Sequence, residues 1–445
     1  MTTSTHILRS RRFGPLFATQ LFNAFNDNLF KNAMVLFVVY SVYSSESAEA
    51  AFSALASALF ILPFVLLSAL AGQLADMRDK ARIIRIVKAA EIVIMIVGAA
   101  GLVMAWQGMA TEAVAIPLML VALTAMGVHS TFFGPIKYAI LPQHLRSDEV
   151  LAGTGLVEAG TYIAILAGTI IAGWIPVEAS AVGVVLVAIA GYFTSRSVPP
   201  APPVIPGEKL DWHIVRASVR LVRDTMHVRE VYYAILAISF FWTIGAVLFI
   251  QFPPLAKNVI MASKEVASLF LVVFSVGVAI GSVSVNALLR GRVSARYAPA
   301  SVIVMGLFVV AFYFVCRMWQ ADQPSELLSV MEFLAWPMAS VLLLCLLGIA
   351  VAGGMFVVPL YAFLTTKVDP GRAARTIAAN NIVNSFAMVI GSLLAMGLSA
   401  AGVGVSEQLL LSAAMCLISA WLGQRLFVAE QQADAVRASA GQSQS

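Results

Sequence analysis

Residues 72–85 read GQLADMRDKARIIR. A glycine, two aspartates and a run of Lys and Arg are crowded together, and apolar sequence closes on them from both sides. Upstream, FSALASALFILPFVLLSALAG (52–72) carries no charge; downstream, IVKAAEIVIMIVGAAGLVMAW (86–106) carries only Lys88 and Glu91. A helix needs about 20 apolar residues to cross the ~30 Å hydrocarbon of a bilayer. Both flanks meet that length, so 72–85 reads as a short charged loop joining two membrane spans.

The same alternation runs through the whole chain. Its 445 residues are 60% hydrophobic and only 11% charged, where soluble domains carry about 25% charge. Barrel strands of ~10 alternating residues do not fit these long unbroken runs. The hydropathy pattern predicts twelve helical spans near 14–40, 51–74, 83–106, 114–139, 150–174, 178–195, 230–255, 265–289, 298–317, 336–364, 374–401 and 406–427. The basic residues orient them. With the N-terminus placed inside, the outer loops hold only Lys257, Lys264 and Arg317 of the 28 Lys and Arg. Lys31 and Lys137 lie within or at the end of spans, and the remainder fall inside. Both termini are therefore expected in the cytoplasm, with the basic runs a topology signal and no nucleic-acid partner implied. No cleavable signal segment is recognised in MTTSTHILRSRRF.

Between spans six and seven, SRSVPPAPPVIPGEK is too rich in proline for regular helix and reads as an extended linker. Residues 211–229 follow as a basic amphipathic helix suited to the inner membrane surface. The expected organisation is an N-terminal six-helix bundle (1–195), a linker with that helix (196–229), a C-terminal six-helix bundle (230–428) and a disordered tail (429–445). The bundles resemble each other. LAGTII (166–171) matches VIGSLL (389–394), and FFGPIKYAIL (132–141) matches MFVVPLYAFL (355–364) at nearly the same spacing, which sets Pro135 opposite Pro359. Parallel repeats of this kind belong to transporters with a central site.

Within 72–85, Gly72 permits a tight helix end, and Asp76 with Arg78 and Arg82 is positioned to form a charge lock that opens in transport. Plain positive-inside anchoring is the alternative. The pattern Gly, Asp, then clustered basic residues resembles the loop signature of the major facilitator superfamily.

The first span is chemically odd. QLFNAFNDNLFKN (20–32) holds four Asn, an Asp and a Lys between apolar flanks. At 100° per residue Asn23, Asp27 and Lys31 share one face, flanked by Asn26. Asp27 lies ~20 Å along the helix, near mid-membrane, where an ionised group costs at least ~2.5–3.5 kcal/mol. The order Asp then Lys at i, i+4 favours a local pair. Two readings remain: a self-satisfied pair that glues helices, or a polar cavity for a substrate headgroup. Asn28 and Asn32 point to other neighbours. Further candidates for the cavity are Glu158 with Tyr162 in span five, Asn381 and Asn384 beside Asn380 in span eleven, and Lys137 at the end of span four, which can also snorkel to the interface. Glu91 reads as a local interfacial partner of Lys88, and His129 is open between a packed neutral imidazole, the favoured reading, and a proton relay.

Enzyme chemistry finds no foothold. There is no GxxxxGK[ST], no HExxH and no nucleophile elbow; HLRSD at 144–148 is one residue short of the HxxxxD of glycerolipid acyltransferases. Cys316, Cys345 and Cys416 lie in or beside apolar runs without metal-ligand spacing. No catalytic residue, cofactor or metal is expected.

AFNDNLFKNA, with FFGPIKYAILPQHL and GTGLVEAGTYIAILAGT, resembles the bacterial lysophospholipid transporters of the major facilitator superfamily. That group also supplies the membrane portion of fusions with an acyltransferase and an acyl-carrier-protein synthetase. The likeness is specific over residues 13–175 and general beyond. It implies an all-α membrane protein of two pseudo-symmetric six-helix bundles. It also implies inward flipping of lysophospholipids such as lysophosphatidylethanolamine across the bacterial inner membrane, with a cytoplasmic acyltransferase restoring the second chain. Carried over by position, Asp27, Asn28 and Lys31 serve the polar cavity, and Lys137 and Glu158 line or gate it. The competing readings are a proton-coupled exporter of amphipathic drugs, titrating at Asp27 or Glu158, and a non-transporting scaffold that docks an acyltransferase through 211–229.

Overall fold

A computed structural model describes residues 3–42, 46–203, 210–321, 324 and 326–442. Twelve long helices dominate it: α1 (Gly14–Ser41), α2 (Glu46–Met77), α3 (Lys80–Trp106), α4 (Ile116–Ala139), α5 (Val150–Trp174), α6 (Val177–Arg196), α7 (Arg229–Pro254), α8 (Lys264–Leu289), α9 (Ala298–Ala321), α10 (Pro337–Thr366), α11 (Ala373–Ala400) and α12 (Val405–Gln442). Each overlaps one of the twelve expected spans. Eleven are long and apolar enough to cross a membrane. The exception, α1, is long enough, but its Asn, Asp and Lys stripe lowers its hydropathy. Backbone satisfaction explains the all-helical solution, because only a helix pairs every N–H and C=O within its own segment in hydrocarbon. Pro63, Pro135 and Pro359 sit inside α2, α4 and α10, a placement that membrane helices tolerate when neighbours re-satisfy the freed carbonyl.

The chain divides into two compact units. One comprises Met1–Leu221 with Val368–Ile382, the other Val222–Lys367 with Val383–Ser445. In the first, α1 packs on α5 and α6, α2 on α4, and α3 on α4 and α6. In the second, α7 packs on α12, α8 on α10, and α9 on α10 and α12. Adding six to each helix number turns four of the first unit's pairs into pairs of the second. The fifth pair, α1 with α5, has its counterpart in the Ser239–Asn384 hydrogen bond between α7 and α11. The matched sequences explain the register. A side chain at Gly168 of α5 would meet Phe25 O at 2.5 Å and Leu29 N at 3.0 Å on α1, and one at Gly391 of α11 would strike Thr243 on α7. Small residues that let backbones approach replace the hydrophobic drive that lipid cannot supply.

The first unit's core is built from Leu29, Phe30 and Met34 of α1, Met95 and Leu102 of α3, and Met119, Leu123 and Met126 of α4. In the second unit Trp319 is fully buried, stacked on Phe333 and Trp336 at 5.5 and 5.2 Å, and its indole N–H donates to Ile260 O at 2.9 Å. Three cysteines, Cys316, Cys345 and Cys416, are buried and unbridged.

Two expectations change. The tail from 429 is not a coil in its described part, since α12 continues to Gln442. AEQQADAVRASAGQ is rich in strong helix formers, contains no proline, and so extends the turn it leaves. The linker boundary also shifts. The stretch 198–203 is extended and pinned: Arg85 Nη2 donates to Val198 O (2.9 Å), His144 Nε2 bonds Pro200 O (3.3 Å), Lys80 N–H donates to Ala201 O (3.0 Å) and Gln143 Nε2 to Pro202 O (3.3 Å). It belongs to the first unit. The six residues 204–209 lie outside the described residues. Beyond them Asp211 N–H bonds Gln73 Oε1 at 3.0 Å, and the expected amphipathic helix forms at Ile214–Thr225. Trp212 just before it and Val215 and Val219 within it are exposed, beside Arg216, Arg220 and Arg223.

Candidate functional site

The α1 stripe faces the inside of the first unit. Asn23, Asn26 and Asp27 are all buried. Asp27 Oδ2 accepts from Asn23 Nδ2 at 3.2 Å and from Ser130 Oγ of α4 at 2.6 Å, while its Oδ1 is buried with no donor. The expected Asp27–Lys31 pair does not form: among the described residues no ion pair within 4.0 Å joins them. The Lys31 ammonium lies 5.8 Å from the Phe60 ring centre on α2. A short serine on a neighbouring helix approaches the carboxylate closely, whereas the long lysine stem carries its charge past it.

Lys137 behaves similarly. It is half-buried at the end of α4, its ammonium 4.9 Å from the Tyr138 ring centre, with no carboxylate within 4.0 Å among the described residues. Glu158 on α5 is buried and accepts a hydrogen bond from the Tyr138 hydroxyl. The same unit thus holds one half-satisfied carboxylate, one tyrosine-bound carboxylate and two ammonium groups without an acidic partner at ion-pair distance. Tyr162 is buried one turn beyond Glu158.

Asn28 does not join this group. Its amide donates to Ala24 O of its own helix at 2.8 Å, and its Cβ sits in the α1–α5 contact near Gly168. Asn32 likewise donates to Asn28 O and to Thr169 Oγ1 of α5. The two α11 asparagines part company. Asn381, in the segment that groups with the first unit, lies against Gly134 of α4. Asn384, in the second unit, accepts from Ser239 Oγ at 2.6 Å.

The expected 72–85 loop shrinks to residues 78–79, because α2 runs to Met77 and α3 starts at Lys80. Gly72 therefore lies inside α2 rather than at a tight helix end, and the work falls on Gly72 and Asp76 of its last turns. Asp76 is buried, and its two carboxylate oxygens accept the N–H groups of Ala374 and Arg375, each at 3.1 Å. These are first-turn donors of α11, left unpaired by the helix itself, and the carboxylate also meets the positive end of the dipole. Arg375 Nε is 3.7 Å away. A Cβ on Gly72 would lie 2.6 Å from Ala378 Cβ and 3.0 Å from Arg375 Cα, so glycine is what allows the approach. Arg78 and Arg82 are exposed and take no part in holding Asp76; Asp79 instead caps α3 by accepting from Arg82 N–H at 3.0 Å.

At the foot of α5, Glu149 accepts from Arg12 Nη2 (2.7 Å) and from Arg146 N–H (2.9 Å). Burial pushes this carboxyl up, but those hydrogen bonds outweigh it and hold it below the usual range. His144 is held below its ordinary value by burial, against the Pro200 carbonyl that favours the charged ring.

Residues that sequence reasoning placed elsewhere complete the polar interior. Glu91 and Lys88 do pair, but fully buried rather than at an interface. Asn26 Nδ2 donates to Glu91 Oε1 at 2.8 Å and to Val184 O of α6 at 3.1 Å, and His129 Nε2 lies 3.2 Å from Glu91 Oε2. The one available signal was Glu91 lying in mid-run on a lipid-length helix.

A profile described as Major Facilitator Superfamily matches residues 16–392. The chain belongs to the major facilitator superfamily. Curated proteins named "Lysophospholipid transporter LplT" are similar to it over most of its length. That of Photorhabdus laumondii is 23% identical over 442 residues, covering 94% of this chain and 97% of its own. That of Serratia proteamaculans is 26% identical, covering 86% and 87%. Among solved structures the human organic anion transporter MFSD10 matches with a TM-score of 0.71 at 12% identity, covering 93% of this chain and 99% of its own. The proton:xylose symporter XylE matches at 0.67 and 13%, covering 96% and 97%. These last two speak for the fold alone. The resemblance first carried by AFNDNLFKNA is thus met by relatives over most of the chain, relatives that are themselves named as transporters, and the chain is a multi-pass membrane transporter by family.

Proposed function

We propose that this protein flips lysophospholipids, such as lysophosphatidylethanolamine, from the outer to the inner leaflet of a bacterial inner membrane by alternating access. A cytoplasmic acyltransferase then restores the second chain. The names of the relatives support the substrate class. The observation that carries the reading is the pair of ammonium groups, Lys31 and Lys137, held in membrane-spanning helices without an acidic partner at ion-pair distance, in the unit that also holds the half-satisfied carboxylate of Asp27. A lysolipid headgroup supplies what these groups lack. Its phosphate pairs with ammonium and, in lysophosphatidylethanolamine, its own ammonium pairs with Asp27; charge-assisted hydrogen bonds of this kind are roughly twice as strong as neutral ones. The single acyl chain stays among apolar side chains.

Asp76 and Gly72 supply the gate. When α11 leaves Asp76, its first-turn amides and the carboxylate both lose their partners, so the closed arrangement is favoured until substrate binding offsets that loss. The crowding of Lys and Arg into alternate loops supports a cytoplasmic position for both termini. Uptake of labelled lysophosphatidylethanolamine into spheroplasts tests the reading. Asp27→Asn, Lys31→Ala and Lys137→Ala at equal expression each reduce uptake; full activity in all three removes the headgroup role.

A further inference from the structure

The short helix at Ile214–Thr225 takes no part in the gate or the polar interior, and its sequence has an order of its own. Valine precedes arginine at 215–216, again at 219–220 and again at 222–223. That spacing is the helical one. Val215, Val219 and Val222 therefore form one stripe, and Arg216, Arg220 and Arg223 form a second about 100° around. Ala217 is buried and Leu221 half-buried a turn later, so the protein covers a third side. Val215 is 72% exposed and Val219 65%, and Trp212, just ahead of the helix, is 71% exposed.

Two attachments fix where this surface sits. Asp211 N–H bonds Gln73 Oε1 in the last turns of α2, and α7 begins at Arg229, soon after Thr225. In the orientation proposed above, both are cytoplasmic ends of spans, at the depth of the lipid headgroups. An apolar stripe beside a cationic one is the pattern of a helix lying in that interface. An indole such as that of Trp212 is at home at the same level.

The charges select the kind of lipid. Arg216 and Arg220 both reach Asp211, at 3.3 and 3.4 Å, and Arg223 Nε lies 3.3 Å from Asp224. Two carboxylates thus serve three guanidinium groups, and one positive charge is left over. All three guanidinium groups are exposed. Exposed pairs are weak and exchange partners readily, and a planar guanidinium keeps further N–H groups in a fork that fits phosphate. Attachment at the span ends holds the valines where acyl chains begin, which favours lipid over a soluble protein as the occupant.

We propose that the Ile214–Thr225 helix, with Trp212, is a docking surface for anionic phospholipids of the cytoplasmic leaflet. Arg216, Arg220 and Arg223 take the phosphates, and Val215, Val219 and Trp212 enter the acyl boundary. These lipids are held and not moved, so the surface stands or falls apart from the flipping reading.

The test uses full-length protein with Cys316, Cys345 and Cys416 replaced by alanine. A nitroxide is attached at Val215→Cys, Val219→Cys or, on the far side from the valines, Asp224→Cys. Collisions with oxygen and with a water-soluble nickel chelate are measured in phosphatidylcholine vesicles with and without phosphatidylglycerol. With the anionic lipid, labels at 215 and 219 meet oxygen and are shielded from nickel, and the label at 224 shows the reverse. Without it, or in high salt, the shielding weakens. Each arginine changed to glutamine at 216, 220 or 223 lowers the ratio of bound to free helix by about fivefold, the contribution of one basic residue at an anionic surface. Should the cysteine-replaced protein fail to fold, hydrogen exchange of the 212–225 amides in the wild type supplies the second readout, slower with phosphatidylglycerol than without. Labels or amides that respond neither to the anionic lipid nor to the arginine changes overturn the proposal. Shielding that appears only when a cytosolic protein fraction is added also overturns it, in favour of a protein partner.

Discussion

Asp76 gives the sharpest test of how the end of α2 engages α11. Two descriptions of its role make different predictions: an ion pair with the Arg375 side chain, or a cap on the first turn of α11. The structure favours the cap, with both carboxylate oxygens on backbone N–H groups at 3.1 Å and the guanidine nitrogen further off at 3.7 Å. Asp76→Asn keeps one acceptor oxygen and turns an NH2 towards the other amide. It removes at least one charge-assisted hydrogen bond, worth about 1.5–3 kcal/mol, and the charge–dipole attraction, about 0.3–1 kcal/mol. A loss of about 2 kcal/mol raises local opening roughly 30-fold, at 1.36 kcal/mol per factor of ten. Native-state hydrogen exchange of the Ala374 and Arg375 amides reads this directly, and protection should fall by about that factor. Arg375→Ala, by contrast, should change exchange by no more than about fivefold, because a partly exposed pair is worth about 0–1 kcal/mol. The double variant should be nearly additive. If Arg375→Ala matches Asp76→Asn and the two are not additive, the ion pair is the lock and the capping argument is wrong.

Gly72→Ala forces backbone and Ala378 to move and should cost about 1–3 kcal/mol, seen as a lower thermal midpoint together with faster exchange at 374–375. Lys88→Ala leaves Glu91 buried without its ammonium partner and should cost about 3–5 kcal/mol, whereas Lys88→Met with Glu91→Leu should recover much of it; denaturation in detergent separates the two. Glu149 is held below the usual carboxyl range, so its contacts with Arg12 and Arg146 contribute stability that is complete above the unfolded pKa of about 4.3 and lost as pH falls through the lower folded value. Limited proteolysis near Arg12 should therefore quicken only on acidification below about pH 4.3, and Glu149→Gln should abolish that dependence.

Span positions were legible because the bilayer imposes one length on every helix and the loops carry the charge. The repeat was legible because close packing demands glycine at matched places, Gly168 and Gly391. The α1 stripe was legible as a face, since helical periodicity fixes direction, but its partners were not. Local spacing favours Asp27 with Lys31, yet Ser130, far along the chain, reaches the carboxylate first. For the same reason Glu91 and His129 read as separate residues: what joins them is the packing of α3 on α4, which no local spacing records. Asp76 was legible as important and misassigned in its partner, because a backbone amide has no letter in the sequence.

The central claim is that ammonium groups in the membrane-spanning helices receive the phosphate of a single-chain lipid. Flipping in reconstituted vesicles, compared between lysophosphatidylethanolamine and a monoacylglycerol of the same chain length, addresses it most directly. The wild-type protein should move the phosphate-bearing lipid and neglect the other, and Lys31→Ala with Lys137→Ala should erase the difference. Equal discrimination in the double variant, or equal flipping of both lipids by the wild type, would contradict it.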